Sequence, residues 1–221
     1  MNPAVKPVVI AVTKSASTLL ITFTGITIFL FASLRIYDYA RVIQLNMEIA
    51  LICAHVTLLF PNFGDSPIPM VSYKGKKVPL TLSLLVDRKY FLISHTFLYP
   101  WQLCRILSIL THFFFVATFM FMFLESLHTY SLVAFVVKKN GVLNRLQNTL
   151  VGWGFSVAIV SAACGLTFED YGGEYHCWLQ VNTNLIFTQL IPIVIIVVLT
   201  LTLLEASGVA TYRRMPGKHT V

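Results

Sequence analysis

The sequence predicts an all-α membrane protein with about five transmembrane helices. Five long apolar runs fall near residues 15–36, 42–60, 104–137, 149–167 and 184–204. Each matches the roughly 20 residues that a helix needs to cross a hydrocarbon core. Hydrophobic residues make up 57% of the 221 and charged residues 11%, too few charges to coat a soluble globule of this size. The runs lack the period-2 alternation of barrel strands, so helices are left to satisfy their backbone polar groups in lipid.

Residues 1–14 read as a short extracellular N-terminus. Lys14 interrupts this segment and the following run is long enough to span, which argues against a cleaved signal peptide. The second run carries Glu48 and His55 seven residues apart, on one helix face. Packing against other helices is the preferred reading, because no third ligand sits at a spacing useful for a metal. In the third run Phe113, Phe114, Phe115, Phe119, Phe121 and Phe123 cover more than one face, so some of them meet lipid. Glu125 follows in the same run, where a carboxylate is costly and faces a partner or water. It either belongs to a buried switch, with His128 three residues on to share its proton, or is solvated at headgroup level. The fifth run holds Pro192, which predicts a kink. The bundle extends over 15–205, and 206–221 forms a cytoplasmic tail.

A long loop, 61–103, separates the second and third runs. It contains VPLTLSLLV, too short to span, and FLISHTFLYPW, whose aromatics suit a membrane interface. The loop reads either as an interfacial segment or as an insertion without function.

Loop charge sets the orientation. With the N-terminus outside, the inner segments carry Arg35 and Arg41, then Lys138, Lys139 and Arg145, then Arg213, Arg214 and Lys218. The last outer loop has Glu169, Asp170 and Glu174 and no Lys or Arg, as the positive-inside rule requires. The basic residues of loop 61–103 argue the other way, and the N-out arrangement is kept. It puts Cys104 and Cys177 both outside, where disulfides persist. They are either bridged or two separate thiols, and their shared side favours a bridge. Cys53 and Cys164 lie within runs and read as small buried apolar residues.

Four stretches in order resemble an adhesion-class G-protein-coupled receptor of latrophilin type. They are VIQLNMEIALICAHVTLLF, THFFFVATFMFMFLESLHTY after Cys104, VGWGF at 151–155 and YGGEYHCWL at 171–179. The resemblance covers about Ser33 to Glu205, excluding 61–103. It implies a partial seven-helix receptor bundle and transmembrane signalling receptor activity. Cys104 and Cys177 match the cysteines that tie the third helix to the second extracellular loop. Trp178 matches the aromatic facing the ligand cavity, which Phe114 and Phe115 would join from the third helix. Glu125 matches the acidic residue of an activation-linked polar cluster, to which His128 one turn on and Gln44 are assigned, although Gln44 departs from the His that the family usually has there. Asn46, Gly152, Trp153, Gly154 and Pro192 are helix-packing positions, the glycines allowing close contact. Phe121 stands where the family has a tryptophan. No sixth or seventh span follows Glu205, which implies a product truncated after the fifth helix.

The sequence has no Gly-rich phosphate loop, GxSxG, HExxH or CxxC, so no enzyme, cofactor, metal or catalytic residue is expected. The net charge of +7 lies mostly beside the apolar runs, as in proteins facing anionic lipid heads, and predicts no nucleic acid partner. The expected partners are the lipid bilayer, a heterotrimeric G protein and homologous receptor chains. The expected location is multi-pass in the plasma membrane. A non-signalling membrane protein that associates with full-length receptors is the alternative. A channel or transporter fragment is disfavoured by the few intramembrane charges and the lack of broken-helix repeats.

Overall fold

The computed structural model describes residues 5–35, 38–59, 70–73, 76–79, 100–135, 142–171 and 184–214. These form helices α1 (Val5–Ser33), α2 (Tyr39–Leu59), α3 (Pro100–Phe135), α4 (Arg145–Thr167) and α5 (Leu185–Arg214). A short hairpin, β1 (Met70–Tyr73) and β2 (Lys76–Pro79), lies between α2 and α3. A 3-10 turn at Phe168–Asp170 extends α4. All five helices are long and apolar enough to cross a membrane.

The helices alternate in direction. Ser17 of α1 meets His55 of α2, Thr57 of α2 meets Thr111 of α3, and Asn46 meets Trp153 of α4. His112 of α3 meets Tyr171 beyond α4, and Arg214 of α5 meets Ala134 of α3. The bundle therefore has a Cys104 end and a Tyr39 end. Helix α3 is central: 44% of its apolar window is buried, against 6% for α1, which packs on α2.

Several ends differ from the sequence expectation. Helix α1 runs back through Lys14 to Val5, well before residue 15. It stops where Arg35 adopts a left-handed conformation with φ 51°. Helix α5 continues past 204 to Arg214, and its last turn carries Arg213 and Arg214. Basic side chains there complement the negative end of the helix dipole. Helix α4 starts at Arg145, where the backbone N–H of Asn144 donates to Oε1 of Gln147 over 2.9 Å. The expected plain loop at 61–103 holds the antiparallel hairpin, with Val71 paired to Val78 and Tyr73 to Lys76. Residues 61–69 and 80–99, with most of VPLTLSLLV and of the aromatic stretch FLISHTFLYPW, lie outside the described residues, and the last two residues of the latter, Pro100 and Trp101, open α3.

Two apolar clusters hold α3 in place. Toward the Tyr39 end, Tyr39 and Ile43 of α2, Met120, Phe121 and Leu124 of α3, and Ile196 of α5 pack together. At the Cys104 end, Ala163, Tyr171 and Leu185 pack against Ile109 and Cys164.

Candidate functional site

The membrane-embedded polar residues separate into three groups along α3. The first lies toward the Tyr39 end. Glu125 sits nine residues from Ala134 and Glu48 nine from Tyr39, so both stand about 13 Å from the same end of the bundle. Glu48 is 6% exposed, and its Oε1 accepts from Nε2 of Gln44 over 3.3 Å. Gln44 Oε1 in turn accepts from Nη1 of Arg41 over 2.7 Å. Arg41, Gln44 and Glu48 thus form a hydrogen-bonded chain along α2, with Glu48 at the depth of Glu125. The Arg41 guanidinium also lies over the Phe31 ring, 4.8 Å from its centre.

Glu125 is half-buried and opens onto a cleft of about 310 Å³ between α3 and α5. Ser126, Thr129 and Thr200 line it beside Glu125, with Leu201 and Leu204 on the α5 side. His128 points elsewhere: it is buried, and its ring centre lies 4.8 Å from that of Tyr39. The third helix thus divides the expected cluster, with Glu125 on the cleft and His128 against α2.

The second group crosses the middle of α2, α3 and α4. Trp153 Nε1–H donates to Asn46 Oδ1 over 3.0 Å, and Asn46 Nδ2–H donates to the Val42 carbonyl over 2.8 Å. Around this indole stand Phe113, stacked at 5.7 Å, and Phe121, edge-on at 5.3 Å. Gly152 lies so close to Phe121 that an added Cβ would overlap its ring. Gly154 makes no such approach: nothing lies within 4 Å of where its Cβ would stand. Phe114 packs edge-on to Phe113 and Trp153, and Phe115 edge-on to His55. Phe114 thus reaches α4 through Trp153, and Phe115 reaches α2 through His55. Pro192 lies inside α5, where it removes one backbone N–H donor.

The third group is at the Cys104 end. Cys104 is disulfide-bonded, while Cys53 and Cys164 are free thiols. Cys177 and Trp178 lie outside the described residues. One residue past Cys104, Arg105 lies over the Phe168 ring at 4.7 Å and donates from Nε to the Tyr171 carbonyl over 3.3 Å. Tyr171 is fully buried and its hydroxyl is 2.8 Å from Nδ1 of His112. Burial pushes the Tyr171 phenol above its ordinary value and keeps it a neutral donor.

Sequence reasoning missed two residues that organise the Tyr39 end. The Tyr39 hydroxyl donates to the Leu143 carbonyl and accepts from Nδ2 of the buried Asn148 over 2.7 Å. Arg145 lies over the Tyr39 ring at 5.9 Å. A tyrosine beside an arginine-flanked turn and an asparagine opening an apolar run were the only available signals. Among the described residues, no three His, Cys, Asp or Glu side chains converge as a metal site would require.

The 7 transmembrane receptor (Secretin family) model matches residues 4–215. Adhesion G protein-coupled receptor L4 of Danio rerio is 29% identical over 163 residues, 73% of this chain and 22% of that protein. Adhesion G-protein coupled receptor D1 of Bos taurus is 31% identical over 127 residues, 58% of this chain and 14% of that one. Cadherin EGF LAG seven-pass G-type receptor 1 of Homo sapiens is 31% identical over 182 residues, 82% of this chain and 6% of its own length. The chain therefore spans less than a quarter of each of these relatives.

Proposed function

Because the chain belongs to the secretin family of seven-transmembrane receptors, we propose that its five helices serve an adhesion-type G-protein-coupled receptor. Such a receptor passes a signal from outside the plasma membrane to a heterotrimeric G protein. In this reading the Cys104 end faces out and the Tyr39 end faces the cytoplasm, beside Arg41, Arg145, Arg213 and Arg214. Cys104 pairs with Cys177, the one cysteine of four that is neither Cys104 itself nor a free thiol among the described residues.

The observation that carries the proposal is the cleft beside Glu125. A carboxylate at membrane depth is retained where it meets another protein surface or water. An open cleft with three hydroxyl side chains around that carboxylate suits a further receptor helix, whose movement would change access from the cytoplasmic side. The same opening favours a second reading, in which a helix of a homologous receptor chain covers it. The protein then associates with full-length receptors without signalling itself.

Second-messenger levels in cells producing the protein, together with co-purification of a homologous receptor, test both readings. A rise above untransfected cells that Glu125→Gln changes supports receptor activity. Silence with co-purification supports association. Silence without co-purification overturns both.

A further inference from the structure

We propose that one buried water molecule sits between α3 and α5, accepting from Nε2–H of His112 and donating to Oε1 of Gln189 and Oγ of Ser108. It completes a hydrogen-bonded relay from Tyr171, beyond the end of α4, through His112 to α5.

Four buried side-chain polar atoms have no partner among the described residues: Glu48 Oε2, Ser108 Oγ, His112 Nε2 and Gln189 Oε1. Three of these belong to the Cys104 half of the bundle, on α3 and α5. An unpartnered polar atom surrounded by protein and lipid forfeits its hydration without return. A cluster of three is the usual setting of a structural water, which makes about three hydrogen bonds.

Their placement brings them to one level. Leu185 of α5 packs in the same cluster as Ile109 of α3, and both helices run away from the Cys104 end. Four residues further along each, about 6 Å deeper, stand Gln189 and Phe113, the latter next to His112. Ser108 precedes His112 by four residues and shares its face. His112 is 1% exposed, Ser108 1% and Gln189 8%, so bulk water does not serve them.

Hydrogen-bonding capacity fixes the direction of the relay. The Tyr171 hydroxyl has one hydrogen-bonding neighbour among the described residues, His112 Nδ1 at 2.8 Å. With no other acceptor within hydrogen-bond distance of the phenol there, it donates to Nδ1. The neutral imidazole then carries its proton on Nε2, on the helix face His112 shares with Ser108 and at the level that helix register gives Gln189. A water molecule with one lone pair toward Nε2–H and two protons toward Gln189 and Ser108 satisfies all three. The relay ties the residue that follows the terminal turn of α4 to α3 and α5.

The test uses the full chain in lipid nanodiscs with ring-15N histidine, the His112 signals being identified by their loss in His112→Phe. The expected spectrum shows His112 as the Nε2–H tautomer with a magnetisation-transfer peak from Nε2–H to a slowly exchanging water. Gln189→Leu should shift that signal and abolish the water peak. Each of Gln189→Leu and His112→Phe should lower the thermal midpoint by about 2–4 °C, and the double variant should fall no further than one alone. An Nδ1–H tautomer overturns the proposal, and so does an Nε2–H with no water peak. Fully additive midpoint losses contradict it independently. Where His112→Phe fails to fold, replacing the other five histidines one at a time identifies the His112 signals, and the wild-type spectrum then decides the matter.

Discussion

The ring of Phe121 occupies the space that a Cβ on Gly152 would need, which joins α3 to α4. Trp153, the next residue, turns its indole against the same ring and bonds to Asn46 of α2. Three helices are thereby fixed by one glycine, one phenylalanine and one tryptophan. Gly152→Ala should lower stability by about 1–3 kcal/mol, as overpacking of a filled contact does. Thermal unfolding in detergent checks this, and Gly154→Ala, which meets open space, should leave the midpoint within about 1 °C.

The Asn46–Trp153 bond makes a separate prediction. Trp153→Phe keeps an aromatic ring beside Phe113 and Phe121 but leaves Asn46 Oδ1 without its donor. The expected cost is about 1 kcal/mol for the lost bond, with more if the amide stays buried and unpaired. Asn46→Leu in the same background should restore part of the loss. A Trp153→Phe midpoint equal to wild type would show that the bond contributes nothing.

Tyr39→Phe removes a donor to Leu143 and an acceptor for Asn148 while leaving the ring against His128 and Arg145. Asn148 is 3% exposed, so its amide is stranded. A loss of about 1–3 kcal/mol is expected. Hydrogen exchange should quicken at the start of α4 before it does elsewhere.

Alkaline pH acts through Tyr171. Its phenol is raised in the folded state, chiefly by burial, so the folded protein keeps a proton that the unfolded chain releases near pH ~10. Stability from this group is present below that pH and falls as pH rises above it. Tyr171→Phe should flatten the decline above pH ~10 while lowering the plateau below it.

The five helices were legible because apolar runs of spanning length survive any detail of packing, and each predicted run falls on one helix. The ends were less legible. Helix α1 passes Lys14 and α5 passes Glu205, since a helix continues beyond the lipid wherever nothing breaks it. The hairpin was missed although only Lys74 and Gly75 separate its paired strands, a spacing with glycine that favours a tight turn. Single-residue environments were harder still. Asn46 and Trp153 carried their own signal as polar and aromatic residues in apolar runs, and they meet. Tyr39 and Asn148 are 109 residues apart, and no local pattern couples them. Phe114 and Phe115, which the resemblance assigns to a ligand-facing surface, also make ring contacts with Trp153 and His55 that no local pattern announces.

Cysteine chemistry gives a further expected outcome. With Cys104 paired to Cys177, alkylation under non-reducing conditions should modify Cys53 and Cys164 alone. Cys177→Ser should release Cys104 as a third alkylated thiol. Unchanged protection of Cys104 in that variant would show a different pairing.

Small epitope tags on the two termini, labelled in intact and then permeabilised cells, test the five-span topology on which the cleft, the disulfide and the receptor reading all depend. The amino-terminal tag should be labelled in intact cells and the carboxyl-terminal tag only after permeabilisation. Equal access to both tags in intact cells would contradict it.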